Sequence, residues 1–160
     1  MHRTITISLG LLAACSDSPP ANVAGDYSMN FTNRENGCQF DNWTEGDTST
    51  GIMVTVTQSG GDAQAIVQGG VGAYVDLVIG GRTFVGGVSE SRLDATLIGT
   101  RAYTQSGCTY TFTAELNGTL SRDTLAGTIE YRPQTNGSPD CGVLANCVSR
   151  AEFNGLRPPN

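Results

Sequence analysis

Between Cys108 and Leu116 the chain alternates without a break. Cys108, Tyr110, Phe112, Ala114 and Leu116 fall on one side of an extended backbone, and Thr109, Thr111, Thr113 and Glu115 on the other. A period of two marks a strand with one buried face and does not fit the 3.6-residue stripe of a surface helix. The pattern recurs at Tyr27, Met29 and Phe31, at Ile52, Val54 and Val56, at Ala63, Ala65 and Val67, and at Leu125, Gly127, Ile129 and Tyr131. Further extended segments read over 73–79, 83–89, 93–104 and 148–154. Turn residues separate them, as in Ser59-Gly60-Gly61-Asp62, Gly80-Gly81, Ser106-Gly107 and Arg122-Asp123. That makes nine expected strands, and Cys38 to Trp43 can supply a tenth. Links this short describe an antiparallel meander, and a meander this long hides its edges by closing on itself. The 21 glycines suit the strongly bent strands of such a closure. The expected fold is therefore all-β, an antiparallel meander closing into a barrel of about eight to ten strands. An even number makes every neighbouring pair antiparallel, including the last strand against the first.

Composition removes several kinds of chemistry. The single histidine is His2, and all nine basic residues are arginine. Ser-His-Asp and Cys-His catalysis need an imidazole, and Schiff-base chemistry needs a lysine. Enzymes built on two carboxylates remain open. The net charge of −6 disfavours phosphate backbones, so no nucleic-acid partner is expected.

The first residues have a different character. Met1-His2-Arg3 is basic, Thr4 to Ala14 is short and mostly apolar, and Leu12-Ala13-Ala14 leads into Cys15. This order is that of a secretion signal, and Leu12-Ala13-Ala14-Cys15 resembles the lipobox of bacterial lipoproteins. The resemblance implies cleavage before Cys15, lipidation of its sulfur and acylation of its new amine. Residues 1–14 are then the signal peptide, and 15–24 a lipidated cysteine with a flexible tether stiffened by Pro19-Pro20. Residues 25–157 form a single barrel domain, and 158–160 a tail. Thr4 to Ala14 is too short to span a bilayer, which takes about 20 apolar residues. Ser16, rather than Asp, follows the cysteine, which in the lipoprotein family implies the outer membrane.

Four cysteines remain after Cys15: Cys38, Cys108, Cys141 and Cys147, at spacings of 70, 33 and 6 residues. Zinc sites use close pairs such as C-x2-C, whereas an even number of cysteines in an exported chain implies two disulfides. Three connectivities are open. With ten strands, all four cysteines gather at one mouth of the barrel and staple the segments 34–51 and 132–147.

Two further likenesses concern the body. Gly25-Asp26-Tyr27 resembles the G-x-W opening of lipocalins and their calycin relatives, with Tyr27 in place of tryptophan. In lipocalins an arginine near the last strand packs across that residue, and Arg150 can fill the position. The stretch Gly37 to Trp43 (G-C-x-F-x-N-W) and the tail Phe153 to Pro159 (F-N-G-x-R-P-P) are similar to those of a group of small bacterial envelope lipoproteins. That likeness implies no activity.

The candidate ligand-binding residues are Trp43 and Tyr27. Trp43, the only tryptophan, either plugs one end of the core or lids the mouth and stacks on a ligand. Asp41, Glu45 and Asp47 offer oxygens to Ca²⁺ but lack the D-x-[DN]-x-[DN]-G spacing and read as a solvated turn, so no metal or other cofactor is expected. Asp76, Glu130, Arg101, Arg132 and Arg150 read as outer-face residues. Small inward residues (Ala63, Ala65, Gly86, Gly127) fit either a cavity or the taper of a filled barrel.

The expected function is that of a membrane-anchored, non-catalytic envelope lipoprotein whose exported barrel binds a small apolar ligand. A structural or protein-interaction module without a ligand is the alternative. Cys15→Ala is expected to leave an uncleaved or soluble precursor, checked by membrane fractionation and the mass of the N-terminal peptide.

Overall fold

Alternation in the sequence becomes alternation of burial. In a computed structural model that describes residues 19–158, Tyr27 and Met29 of the first strand and Val54 and Val56 of the second turn into a common core, with Phe31 packed against it. The segment 1–14 expected as a signal, Cys15 expected as the lipidation site, residues 16–18 and Pro159-Asn160 lie outside the described residues. The elements in chain order are β1 (Gly25–Asn36), β2 (Thr48–Ser59), β3 (Asp62–Val67), α1 (Gly69–Ile79), β4 (Thr83–Ser89) and β5 (Arg92–Ile98). There follow β6 (Tyr103–Gln105), β7 (Cys108–Ser121), β8 (Thr124–Thr135), a 3-10 turn over Pro139–Ala145 and β9 (Ser149–Leu156).

Eight strands form a closed antiparallel barrel. Neighbours run β5-β4-β3-β2-β1-β9-β8-β7, and β5 closes the ring on β7 from Arg92↔Thr119 to Ile98↔Thr113. The short β6 pairs with the first residues of β7 outside this ring. The tight turns Ser59–Asp62, Ser89–Arg92 and Ser121–Thr124 lie at one end, here called the base. The longer segments 37–47, 68–82, 99–107 and 136–148 lie at the other end, the mouth.

Three expected strands take another form. The segment 73–79 is part of helix α1, because the barrel is already complete without it. Coiled across the mouth between β3 and β4, the segment buries Gly72 and Ile79 and packs Val75 and Val78 on the core. The alternation in Val75-Asp76-Leu77-Val78 also fits a helical spacing, and Gly80 ends the helix in the left-handed conformation (φ 86°). The segment 93–104 breaks after Ile98: Gly99 still donates to the Phe112 carbonyl at 2.8 Å, but Thr100 Oγ1 and Arg101 N then bond to the carbonyls of Gly80 and Ile79 at the end of α1. Cys38 to Trp43 is a folded loop and supplies no tenth strand. Even parity survives with eight strands.

The lower barrel is filled. Tyr27, Met29, Leu93, Leu97 and Leu125 are fully buried. Their small partners make room for them: a Cβ on Gly155 would overlap the Met29 sulfur, and one on Gly118 would press on the Phe153 ring. Ala63 and Ala65 are buried in the same packing, and Gly86 and Gly127 lie against the neighbouring backbone. The small residues therefore serve the taper. Residues 21–24, expected within the flexible tether, lie bonded across the base, where Val23 is completely buried and Tyr27 Oη donates to its carbonyl at 2.9 Å.

Disulfides join Cys38 to Cys147 and Cys108 to Cys141, all at the mouth. The first closes a separation of 109 residues and the second one of 33. Chain entropy assigns them about 4.8 and about 3.7 kcal/mol. Replacing both Cys38 and Cys147 by serine is expected to lower Tm by roughly 10–20 °C, and by more than the Cys108→Ser, Cys141→Ser pair does, read by thermal circular dichroism.

Candidate functional site

Asn36, the last residue of β1, organises the loop that follows it. Its Oδ1 accepts from the Phe40 amide at 2.8 Å, and its Nδ2 donates to the carbonyls of Phe40 and Trp43 at 3.0 and 3.4 Å. Ser149, fully buried at the start of β9, accepts from the Cys38 amide at 3.1 Å and donates to Asn36 Oδ1 at 3.4 Å. Gly37 packs so closely on the Val148 carbonyl that any side chain there would clash. With the Cys38–Cys147 bridge, these contacts hold the loop from both ends. The loop is thus a fixed arm carrying Phe40 and Trp43 over the mouth.

The two rings join an aromatic series contributed by the barrel rim. From ring to ring the centroid distances are 5.8 Å (Tyr131–Trp43), 6.0 Å (Trp43–Phe40), 5.3 Å (Phe40–Phe112), 5.4 Å (Phe112–Tyr110) and 5.7 Å (Tyr110–Tyr103). Most contacts are tilted or edge-to-face, the arrangements the ring quadrupoles favour. Inward alternation along β7 places Tyr110 and Phe112, and β8 supplies Tyr131. Tyr103 on β6 stacks on Tyr110 and donates its hydroxyl to the Val78 carbonyl of α1 at 2.6 Å. Helix, loop and rim are thereby tied together.

Between them lies a cleft of about 640 Å³, lined by these rings together with Tyr74, Val75, Val78 and Ile79 of α1 and Val143 and Leu144. Gln39, Asp41, Asn42 and Gln105 add polar groups. Ligand sites span roughly 300–1,000 Å³ and pair an apolar lining with a few polar groups. The Trp43 ring lines the cleft, while its Nε1 is buried out of solvent contact and has no hydrogen-bond partner.

The structure separates the two candidate ligand-binding residues. Trp43 lines the cleft, whereas Tyr27 lies at the base, at the opposite end of the barrel. Burial pushes the Tyr27 phenol above its usual range, partly opposed by the neighbouring Arg157 guanidinium. Arg157, rather than Arg150, is thus the arginine across the first-strand tyrosine. Arg150 pairs on the outer wall with Glu130 at 2.6 Å and with Glu35 at 3.4 Å. Glu130 and Glu115 face each other across β7 and β8, and Arg132 bridges them. Hydrogen bonding from Arg150, helped by Arg132, holds the Glu130 carboxyl below the ordinary range despite partial burial. Asp76 is exposed on α1 and Arg101 is exposed beyond β5. Asp41 is the one carboxylate lining the cleft, and Glu45 and Asp47 are exposed outside it. Among the described residues no three His, Cys, Asp or Glu side chains converge on a common point.

Sequence reasoning missed Asn36 and Ser149, which carry no motif and act only through tertiary contacts. The rim tyrosines were visible as inward strand residues, without a sign that they would meet Trp43. Comparison with protein-family models, curated proteins and solved structures finds no match to this chain.

Burial pushes the Tyr131 phenol up to about 12, against an ordinary value of 10.0. Because the folded pKa is raised, the associated stability is complete below about pH 10 and is lost as pH rises towards 12. Tyr131→Phe is expected to abolish a fall in unfolding free energy of roughly 2–3 kcal/mol across that window, measured by urea denaturation at stepped pH.

Proposed function

We propose that the protein is a non-catalytic lipoprotein of the cell envelope that binds a small, mostly apolar, ring-bearing molecule in the mouth cleft. The observation that carries this reading is the pre-formed cleft, walled by the rings of Phe40, Trp43, Tyr103, Tyr110, Phe112 and Tyr131. Flat rings would extend the edge-to-face series, and the polar rim residues would orient the molecule. The lining supports a binder over a catalyst, because it brings one carboxylate and no carboxylate pair. Attachment rests on the lipobox Leu12-Ala13-Ala14-Cys15, with acyl chains as the membrane contact and Ser16 favouring the outer membrane. The barrel then faces the periplasm or the cell exterior.

A second reading, a protein-interaction module, is favoured by one observation. Val71, Tyr74 and Leu77 on α1 and Val143 beyond it are exposed apolar side chains beside the cleft.

Native mass spectrometry of the protein taken from its host's envelope tests both. A discrete extra mass that leaves on denaturation is expected, and Trp43→Ala is expected to lose it, with at least a tenfold fall in affinity (about 1.4 kcal/mol). A bare monomer mass overturns the ligand reading, and a stoichiometric protein partner favours the second.

A further inference from the structure

The chain enters the barrel at the end remote from the cleft, and it is fastened there. Ala21 N donates to the Glu90 carbonyl at 2.6 Å. The Gln58 side chain accepts from Val23 N at 2.8 Å and donates to the Ala21 carbonyl at 3.1 Å. Arg157 Nη1 donates to the carbonyls of Asn22 and Ala24 at 2.9 and 2.8 Å, while its Nε pairs with Asp123 at 3.2 Å. All three base turns therefore grip residues 21–24. We propose that the anchored protein stands base-down on its membrane, so that the cleft points away from the bilayer and takes its ligand from the aqueous phase, not from the lipid that holds it. This inference rests on the anchor reading above.

Lengths decide the matter. From Cys15 to Ala21 there are six Cα–Cα steps, which at no more than about 3.6 Å each reach at most about 22 Å. The 12 residues of β1, rising about 3.4 Å each and inclined about 40° to the barrel axis, set the mouth roughly 30 Å above the base. A mouth-down arrangement needs a tether longer than that height, and the tether is shorter. Had residues 21–24 been free, the ten steps from Cys15 to Gly25 would have reached about 36 Å, and the restriction would vanish.

Charge and surface agree with this orientation. The mouth segments carry Asp41, Glu45, Asp47, Asp76 and Asp140, all exposed, against Arg82 and Arg101. Such a balance is repelled by anionic headgroups. Among the described residues the wall offers no apolar band on which the barrel could lie. Its ion pairs include Arg34–Glu152 and Arg92–Asp94, and Met53, Val85 and Ile98 are exposed on different strands.

The single tryptophan makes the orientation measurable. The full-length protein is purified from host membranes and reconstituted in phosphatidylcholine vesicles, with or without a nitroxide-labelled headgroup lipid. Trp43 emission is expected to be unchanged by the nitroxide. Base reporters, Ser121→Trp and separately Ser89→Trp in a Trp43→Phe background, are expected to lose at least half of theirs. Both positions are exposed strand ends at the base, so either variant can serve if the other fails to fold. Equal quenching of Trp43 and the base reporters, or none at either, overturns the proposal. Failure of the protein to float with the vesicles, together with an unmodified Cys15 in the N-terminal peptide mass, overturns the anchor reading instead.

Discussion

The pairing of β5 with β7 is the contact on which the rest depends. Until Arg92–Ile98 meets Thr113–Thr119, the meander is an open sheet with two unsatisfied edges. Once they meet, the strand number is eight, every neighbour is antiparallel, and each connection is assigned to one end or the other. The base receives only tight turns and the entering chain. All longer segments, the helix and the four cysteines go to the mouth. The separation of an attached end from an open end follows from that closure.

The two ends are then built differently. At the base, aliphatic side chains and Tyr27 fill the interior, and Arg157 satisfies the backbone carbonyls of the incoming segment. A polar group there meets a polar partner. At the mouth the strands have splayed into loops, and two disulfides with the Asn36–Ser149 hydrogen bonds supply the order that packing gives below. Rings replace aliphatic chains, and because rings meet edge to face they leave a cleft between them. The covalent staples act at the part of the barrel where close packing is weakest.

What the sequence made legible followed from period two. Strands such as Cys108 to Leu116 state their inward face directly, and even parity carried the cysteines to one mouth before any pairing was known. The failures have physical causes. Ala73 to Ile79 is apolar apart from Asp76, so alternation and helical spacing both fit it, and only the completed ring decides that it must coil across the opening. Strand β5 ends where Thr100 and Arg101 turn to bond the carbonyls at the end of α1, contacts no local pattern announces. Arg150 was closer to the expected lipocalin position, yet alternation on β9 turns it outward to Glu130, and Arg157 beyond the strand end reaches Tyr27. At the cleft, Trp43 was legible as an isolated aromatic in a loop. Asn36 and Ser149 were silent, since an asparagine at a strand end and a serine at a strand start look like ordinary turn residues.

The unpartnered Trp43 Nε1 ties these observations together. A buried donor without an acceptor works against folding, and a phenylalanine at position 43 would avoid that cost while keeping the ring contacts. The chain instead keeps the indole on a loop held by a disulfide, a steric lock at Gly37 and three hydrogen bonds from Asn36. Such bracing would be excessive for a ring that merely plugs the core, because the core below is already complete. On the proposed reading it has a reason. An arm fixed in advance spends no entropy in ordering when a ligand arrives, so the energy of the new ring contacts appears as affinity. The same rigidity means that the cleft is presented in one shape.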